Sequence, residues 1–279
     1  MIEIGKYNLL TILRQTSVGL YLGDNDGEDV LLPNKYCPDD FEINDKIEVF
    51  VYLDYAERKI ATNINPKIYL HEFALLEVTD VTDVGAFLDW RLEKELLVPF
   101  REQKQKMEEG RWYIVYLDLD TKTNRLFASN KVNKYLDNET LTIEPGEEVD
   151  LLIFKKTDLG FSAIINNKHK GLIFSGDIFT ELNIGEKIKG YIKNIRPDNK
   201  IDLSLQPIGY KNYKDINSQL IYNKLIENNN FLPVTDKSSP DEIYSIFGIS
   251  KKVFKKSIGD LYKQKKIIIL PNGIKLQDS

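Results

Sequence analysis

A glycine recurs three times in this chain at a near-constant distance from a closing hydroxyl residue. Gly19 precedes Thr62 by 43 residues, Gly85 precedes Ser129 by 44, and Gly160 precedes Ser204 by 44. The intervening loops are unrelated in sequence, so the spacing marks one structural unit used three times. Each copy also runs on in the same way. Residues 17–22 lead to an apolar run at 30–33, residues 83–88 to one at 96–99, and residues 158–163 to one at 171–174.

Within each copy the pattern is strand after strand. In the first, short apolar segments lie near 7–13, 19–22, 30–32 and 59–62, with a turn at Asn25-Asp26-Gly27. Residues 45–54 alternate polar and apolar, which predicts a half-buried strand. The second copy gives strands near 73–81, 85–89, 96–98, 111–118 and 125–129. The third gives 149–157, 160–166, 171–174, 186–195 and 200–204. Five short strands with a longer connection before the fourth suit a small Greek-key barrel of the OB type. Closure also removes the edges that an open five-stranded sheet would expose.

After Gln206-Pro207-Ile208-Gly209 the period changes. Ile216, Leu220, Ile221, Leu225 and Ile226 recur at helical spacing, which predicts an amphipathic helix over 213–228. Ser239-Pro240-Asp241-Glu242 is a helix start with its N-cap, first-position proline and capping glutamate. That helix ends at Gly248, and Ser250 caps a third whose apolar stripe is Phe254, Ile258 and Leu261. A hairpin follows around Pro271-Asn272-Gly273. The expected fold is therefore mainly β and multidomain. Three tandem five-stranded OB barrels cover 1–66, 67–143 and 144–208, and an α+β winged helix-turn-helix covers 209–279.

Charge divides the chain unevenly. Residues 1–144 hold 17 Lys+Arg against 27 Asp+Glu, residues 145–210 hold 9 of each, and residues 211–279 hold 12 against 7. Any polyanion is thus expected to engage the C-terminal half first. Two His and one Cys give no metal-ligand spacing, and neither a P-loop nor a nucleophile elbow is present, so no enzyme, metal or cofactor is expected. Cys37 has no disulfide partner in the chain and fits a reducing compartment. No apolar run reaches the ~20 residues of a membrane helix. The first residues show no basic segment before an apolar block, so the expectation is a cytoplasmic protein.

Single-stranded nucleic acid is held by positive charge and by aromatic faces on which bases stack. In an OB barrel the ligand crosses the second and third strands and their loops. In the third copy that places Phe161 and Phe174 as stacking residues, with Lys168, His169 and Lys170 on the connecting turn. Arg196 and Lys200, between the last two strands, reach toward phosphates. The alternative for both Phe residues is a place in the barrel core, because alternate strand residues face inward. His169 is expected as a solvent-facing turn residue. The corresponding positions are Tyr21 and Arg58 in the first copy, and Phe87, Arg91 and Arg101 in the second. The first copy sits among Asp24, Asp26, Glu28 and Asp29, where a structural or protein-contact role competes with RNA contact. On the third helix of the C-terminal region Lys251, Lys252, Lys255 and Lys256 lie off the apolar stripe, at the end where the macrodipole opposes them. They suggest phosphate contact rather than base readout.

The three units resemble the S1 RNA-binding domain. The shared pattern is a Gly-x-Phe-hydrophobic strand, a Gly-Leu-hydrophobic strand, and a fourth strand opened as in Ile184-Gly185-Glu186-Lys187. Three such units before a winged helix resemble the conserved virulence factor B family. Asn166-Asn167-Lys168-His169, Gly190-Tyr191-Ile192, Ile201-Asp202-Leu203-Ser204-Leu205 and Thr235-Asp236-Lys237-Ser238-Ser239-Pro240 carry that resemblance. It implies RNA binding and post-transcriptional control without catalysis. S1 domains often place a His after the Gly-Leu-hydrophobic run, where this chain has Pro33, Pro99 and Phe174. Proline cannot stack, so the third copy is expected to bind single-stranded RNA, together with the winged helix. Two other readings stay open: a duplex-DNA regulator acting through the winged helix, and an adaptor for the ribosome or an RNase. Phe161 lies one residue nearer its glycine than Tyr21 or Phe87 does, which would reverse its face.

Overall fold

The computed structural model describes residues 1–24, 26–178, 181–206 and 212–277. Two compact units divide the chain: residues 1–175 with 181–205, and residues 176–180 with 206–279. The first unit holds three five-stranded sheets. The first sheet consists of β1 (Lys6–Thr16), β2 (Gly19–Gly23), β3 (Asp29–Pro33), β4 (Lys46–Leu53) and β5 (Lys59–Thr62). It is a closed barrel in the order β1-β2-β3-β5-β4, completed by a parallel pairing of β3 with β5.

The second sheet repeats it with β6 (Phe73–Val81), β7 (Gly85–Asp89), β8 (Leu96–Pro99), β9 (Trp112–Asp120) and β10 (Arg125–Ser129). The third repeats it with β11 (Glu148–Thr157), β12 (Gly160–Ile165), β13 (His169–Phe174), β14 (Lys187–Ile195) and β15 (Ile201–Ser204), and is again closed. The second departs from the expected closure. Its order is β10-β9-β6-β7-β8, with no β8–β10 ladder, so it is a half-barrel. The closing parallel ladder is the weakest element of the design, one residue pair in the first barrel and three in the third. Its loss therefore costs few hydrogen bonds.

The repeated glycines have a physical cause. Gly19, Gly85 and Gly160 adopt φ of +149°, +155° and +143°. A Cβ at each would lie 2.1, 2.3 and 2.0 Å from the carbonyl oxygen of Leu32, Val98 or Ile173 across the hairpin. Only glycine lets the second and third strands approach this closely. The first strand of each unit also carries a bulge at the same place. Leu13, Thr79 and Phe154 each stand out of register six residues before the glycine. A bulge re-aims its side chain out of the alternation.

Packing between the barrels falls on outward residues of each first and fourth strand. Tyr7 pairs with Phe50 in the first barrel, and Phe73 with Tyr116 in the second. Phe50, fully buried, meets Trp90, the residue after β7, edge-on with centroids 6.0 Å apart. Phe73 is fully buried in a cluster that includes Ile114 of the same sheet and Leu152 and Ile164 of the third barrel. Burial at this seam pushes the Tyr116 hydroxyl up to about 12. β4 is accordingly not half-buried as its alternation predicts: Val49, Phe50, Val51 and Tyr52 are all buried, the valines inward and the aromatics against the next sheet. In the third barrel the equivalent pair is Glu148 and Tyr191, joined by a 2.7 Å hydrogen bond from the tyrosine hydroxyl. A polar pair cannot seat a further barrel in the same way.

The second unit contains α1 (Asn212–Glu227), β16 (Phe231–Leu232), α2 (Pro240–Phe247), α3 (Lys251–Lys263), β17 (Ile267–Leu270) and β18 (Gly273–Leu276). The Ser239 and Ser250 hydroxyls accept from the Glu242 and Val253 amides, and Gly248 takes the left-handed cap, as the sequence predicts. The hairpin loop is Pro271 and Asn272, with Gly273 already paired to Leu270. β16 adds a third strand beside β18. Phe254, Ile258 and Leu261 form the buried stripe of α3. Gly259 sits on the same helix, and a methyl group added to it would have nothing within 4 Å. Replacing it with Ala is expected to raise the stability of this unit by about 0.5–1 kcal/mol. Urea denaturation followed by circular dichroism checks this, and an unchanged or lowered midpoint contradicts it. No helix among the described residues is long and apolar enough to cross a membrane. Asn25, which the sequence places in a turn, and residues 207–209, where its period changes, lie outside the described residues.

Candidate nucleic-acid interface

Register decides which side chains share the outer face of each barrel. In the third barrel Ser162 pairs with Leu172, and Leu172 with Asp202. Phe174 and Lys170 alternate with Leu172 along β13, so all lie on one side. They line a cleft of about 600 Å³ together with Arg196 and Lys200. The Arg196 guanidinium lies 5.6 Å from the Phe174 ring centroid. Two hydrogen-bonded contacts of 3.0 and 2.9 Å to Asp202 fix it there and raise its pKa, keeping it charged. Lys200 reaches Asp198 at 2.7 Å and is otherwise exposed on the same rim.

Two residues expected at this site stand elsewhere. Phe161 pairs with Ile173 and Lys156, in register with the buried Ala163 and Ile165, so it belongs to the inward face at the barrel mouth. It is half-buried and does not line the cleft. The reason is the glycine: Tyr21 and Phe87 stand two residues after theirs, and Ser162 holds that place here. His169 is fully buried and is not a turn residue. The reversal is made by Asn166 and Asn167, both left-handed, and β13 begins at His169. One ring nitrogen meets the Asp137 carbonyl and the other the Thr142 hydroxyl at 2.9 Å, so the ring pins the segment before β11. Lys168 stays on the turn, its carbonyl accepting from the Asp137 amide.

The second sheet offers a different arrangement. Phe87, Leu97 and Pro99 line a cleft of about 520 Å³ with Arg101 and, from β10, Phe127. Tyr55 and Glu57 of the first barrel close its other side. Arg91 is outside it, donating to the Asn65 carbonyl at 3.2 Å from a left-handed turn position. Sequence reasoning missed Phe127 and Tyr55. The signal for Phe127 was its place two residues before the closing Ser129, matching Ile60 and Asp202 in the other barrels. In the first barrel Tyr21 is outward and covered by Arg14 at 4.0 Å, while Arg58 is tied to Asp54 at the β4–β5 turn. No contact brings Tyr21 and Arg58 together among the described residues. On α3, Lys252, Lys255 and Lys256 are exposed and Lys251 is half-buried. Lys255 lies 3.7 Å from Asp236, and the Lys251 ammonium donates to the Lys237 carbonyl.

The chain matches the S1 domain over residues 4–63 and the CvfB-like winged helix domain over residues 219–276. Conserved virulence factor B of Staphylococcus epidermidis is 28% identical over 281 residues, covering 97% of this chain and 93% of that protein. The chain is thus similar to the conserved virulence factor B proteins over nearly its whole length. An uncharacterized Bacillus subtilis protein, YitL, is also 28% identical, over 94% of this chain and 90% of its own length. A solved Streptococcus pneumoniae structure, described as a multidomain protein with nucleic acid binding domains, is 22% identical. It covers 98% of both chains with a TM-score of 0.42. The two matched domain types, S1 and winged helix, are both nucleic-acid-binding folds. Of the three barrels, the third alone has an aromatic, Phe174, where the others have Pro33 and Pro99.

Proposed function

We propose that this protein is a non-catalytic, cytoplasmic RNA-binding regulator of gene expression that grips single-stranded RNA on the outer face of its third barrel. The observation that carries this reading is Phe174. It stands where Pro33 and Pro99 stand in the other barrels, on an outer face that also holds Lys170, Arg196 and Lys200. An unstacked base lies on the ring, backed by the Arg196 plane, while the two lysines neutralise flanking phosphates. A duplex cannot present an unstacked base face there, which favours a single strand.

Filter binding of the full chain to a uridine-rich oligonucleotide across a salt series tests the reading. Phe174→Ala is expected to weaken binding by about 1–3 kcal/mol, since that is what one base stack contributes. Affinity must also fall with salt. Unchanged affinity in Phe174→Ala removes the stacking role, and absence of salt-sensitive binding removes the function. A second reading, duplex DNA held by α3, rests on the exposed Lys252, Lys255 and Lys256. Competition separates the two: duplex DNA that displaces the RNA at comparable concentration favours the second.

A further inference from the structure

The acidic balance of residues 1–144 hides a local reversal. Between the second sheet and the third barrel runs a groove of about 670 Å³ whose charged lining is entirely basic: Lys104, Arg111, Lys131, Lys134, Lys155 and Lys170. All six are exposed. Four of them come from the acidic part of the chain, and the packing of β6 and β9 on β11 and β12 sets them beside Lys155 and Lys170. Glu108 and Glu102 approach Arg111 and Lys134 at 2.8 and 3.6 Å without lining the groove. Lys104 and Lys155 make no ion pair among the described residues. The Tyr135 hydroxyl beside Lys134 raises its pKa, so that cation persists.

Three aromatic residues share this groove with the cations: Trp112, Tyr113 and Phe154. Trp112, at the start of β9, is 51% exposed, unusual for the largest apolar side chain. Phe154 is the residue that the β11 bulge turns out of the barrel, and Lys170 lies 5.8 Å from its ring centroid. Lys170 lines both this groove and the cleft that holds Phe174. The two surfaces are therefore continuous.

From this continuity we infer that the strand bound on the third barrel runs on past Lys170 into the groove, where Trp112 stacks a base and the lysines follow the phosphates. The inference rests on the reading of the third barrel as a single-strand site. Interleaved cations and exposed rings are what a single-stranded polyanion needs, phosphates meeting the lysines and bases the rings. The site lies outside the β-hairpin face that an OB barrel uses, and gives the protein a longer footprint than one barrel provides.

Intrinsic fluorescence reports on it directly, because Trp90 is buried and Trp112 is the other of two tryptophans. Oligouridylates of about 5 and about 15 nucleotides are titrated into the full chain, with binding followed by anisotropy; one OB fold covers ~4–16 nucleotides. The long oligonucleotide is expected to quench the emission and the short one to leave it unchanged. Trp112→Phe abolishes the quench. The double variant Lys104→Glu/Lys155→Glu weakens the long oligonucleotide about tenfold or more, and lowers its salt slope by roughly 0.7 per lost phosphate contact. It leaves the short one unaffected. Long-strand binding with no quench, and with affinity unchanged in the double variant, overturns the groove while the third-barrel site stands. Failure of both oligonucleotides to bind overturns both. Equal quenching by heparin marks a general polyanion surface and overturns the assignment to a single strand.

Discussion

Gly160→Ala is expected to unfold the third barrel's hairpin, lowering stability by more than about 3 kcal/mol. The positive φ alone costs ~1–3 kcal/mol for a residue with a side chain. The larger part is contact. A methyl group 2.0 Å from the Ile173 carbonyl oxygen cannot be accommodated by a side-chain rotation, because the opposing atom is backbone. β12 and β13 must separate, breaking ladder hydrogen bonds that each contribute ~0.5–1.5 kcal/mol. Gly146 supplies the control: its φ is +94° and nothing lies within 4 Å of its added methyl. Gly146→Ala carries the conformational cost without the clash. Thermal and urea denaturation of the two variants should therefore differ widely. If both lose the same few degrees, close approach of the strands is not what the glycine is for. Gly19→Ala and Gly85→Ala meet the Leu32 and Val98 carbonyl oxygens at 2.1 and 2.3 Å and should behave like Gly160→Ala.

The same glycines explain why the fold was legible. A position that tolerates a single residue type leaves a fixed mark, and three such marks, each 43 or 44 residues before a closing hydroxyl, disclose the repeat however far the loops diverge. Helix caps were legible for a related reason: Ser239, Pro240 and Gly248 each satisfy one backbone requirement locally. Features set by contact between barrels were not. Val49-Phe50-Val51-Tyr52 is a continuous apolar run within a segment read as alternating, and the run is the trace of a strand buried on both faces. His169 was misplaced because Asn166-Asn167, a dipeptide suited to two left-handed positions, was not read as the whole turn. Of the candidate site, Phe174, Lys170, Arg196 and Lys200 come together, and Phe161 does not. Its offset from the glycine was visible in the sequence, and register turned that offset into the opposite face. The basic groove left only a diffuse trace: residues 101–134 hold 8 Lys+Arg against 5 Asp+Glu, an excess that the acidic total for 1–144 conceals.

Phe73→Ala links the packing to that groove. Phe73 is fully buried, its ring 4.8 Å from Tyr116, which stacks on Tyr135 at 4.0 Å. Its backbone amide donates to the Asn167 side chain of the third barrel at 3.1 Å. Truncating a buried Phe costs about 3–5 kcal/mol through lost transfer energy and the cavity left behind. Here the cavity opens between two barrels, where Leu152 and Ile164 lose their support. Urea denaturation is therefore expected to show a loss of that size. A double-mutant cycle with Leu152→Ala should show coupling of about 0.5–3 kcal/mol, as contacting residues do. Energies that add within ~0.3–0.5 kcal/mol would mean that Phe73 serves only its own sheet. The functional consequence follows from geometry. The cleft around Phe174 belongs to one barrel, whereas the groove exists only while two barrels stay packed. Loss of the seam should weaken the long oligonucleotide and spare the short one, although Phe73 itself lines neither surface.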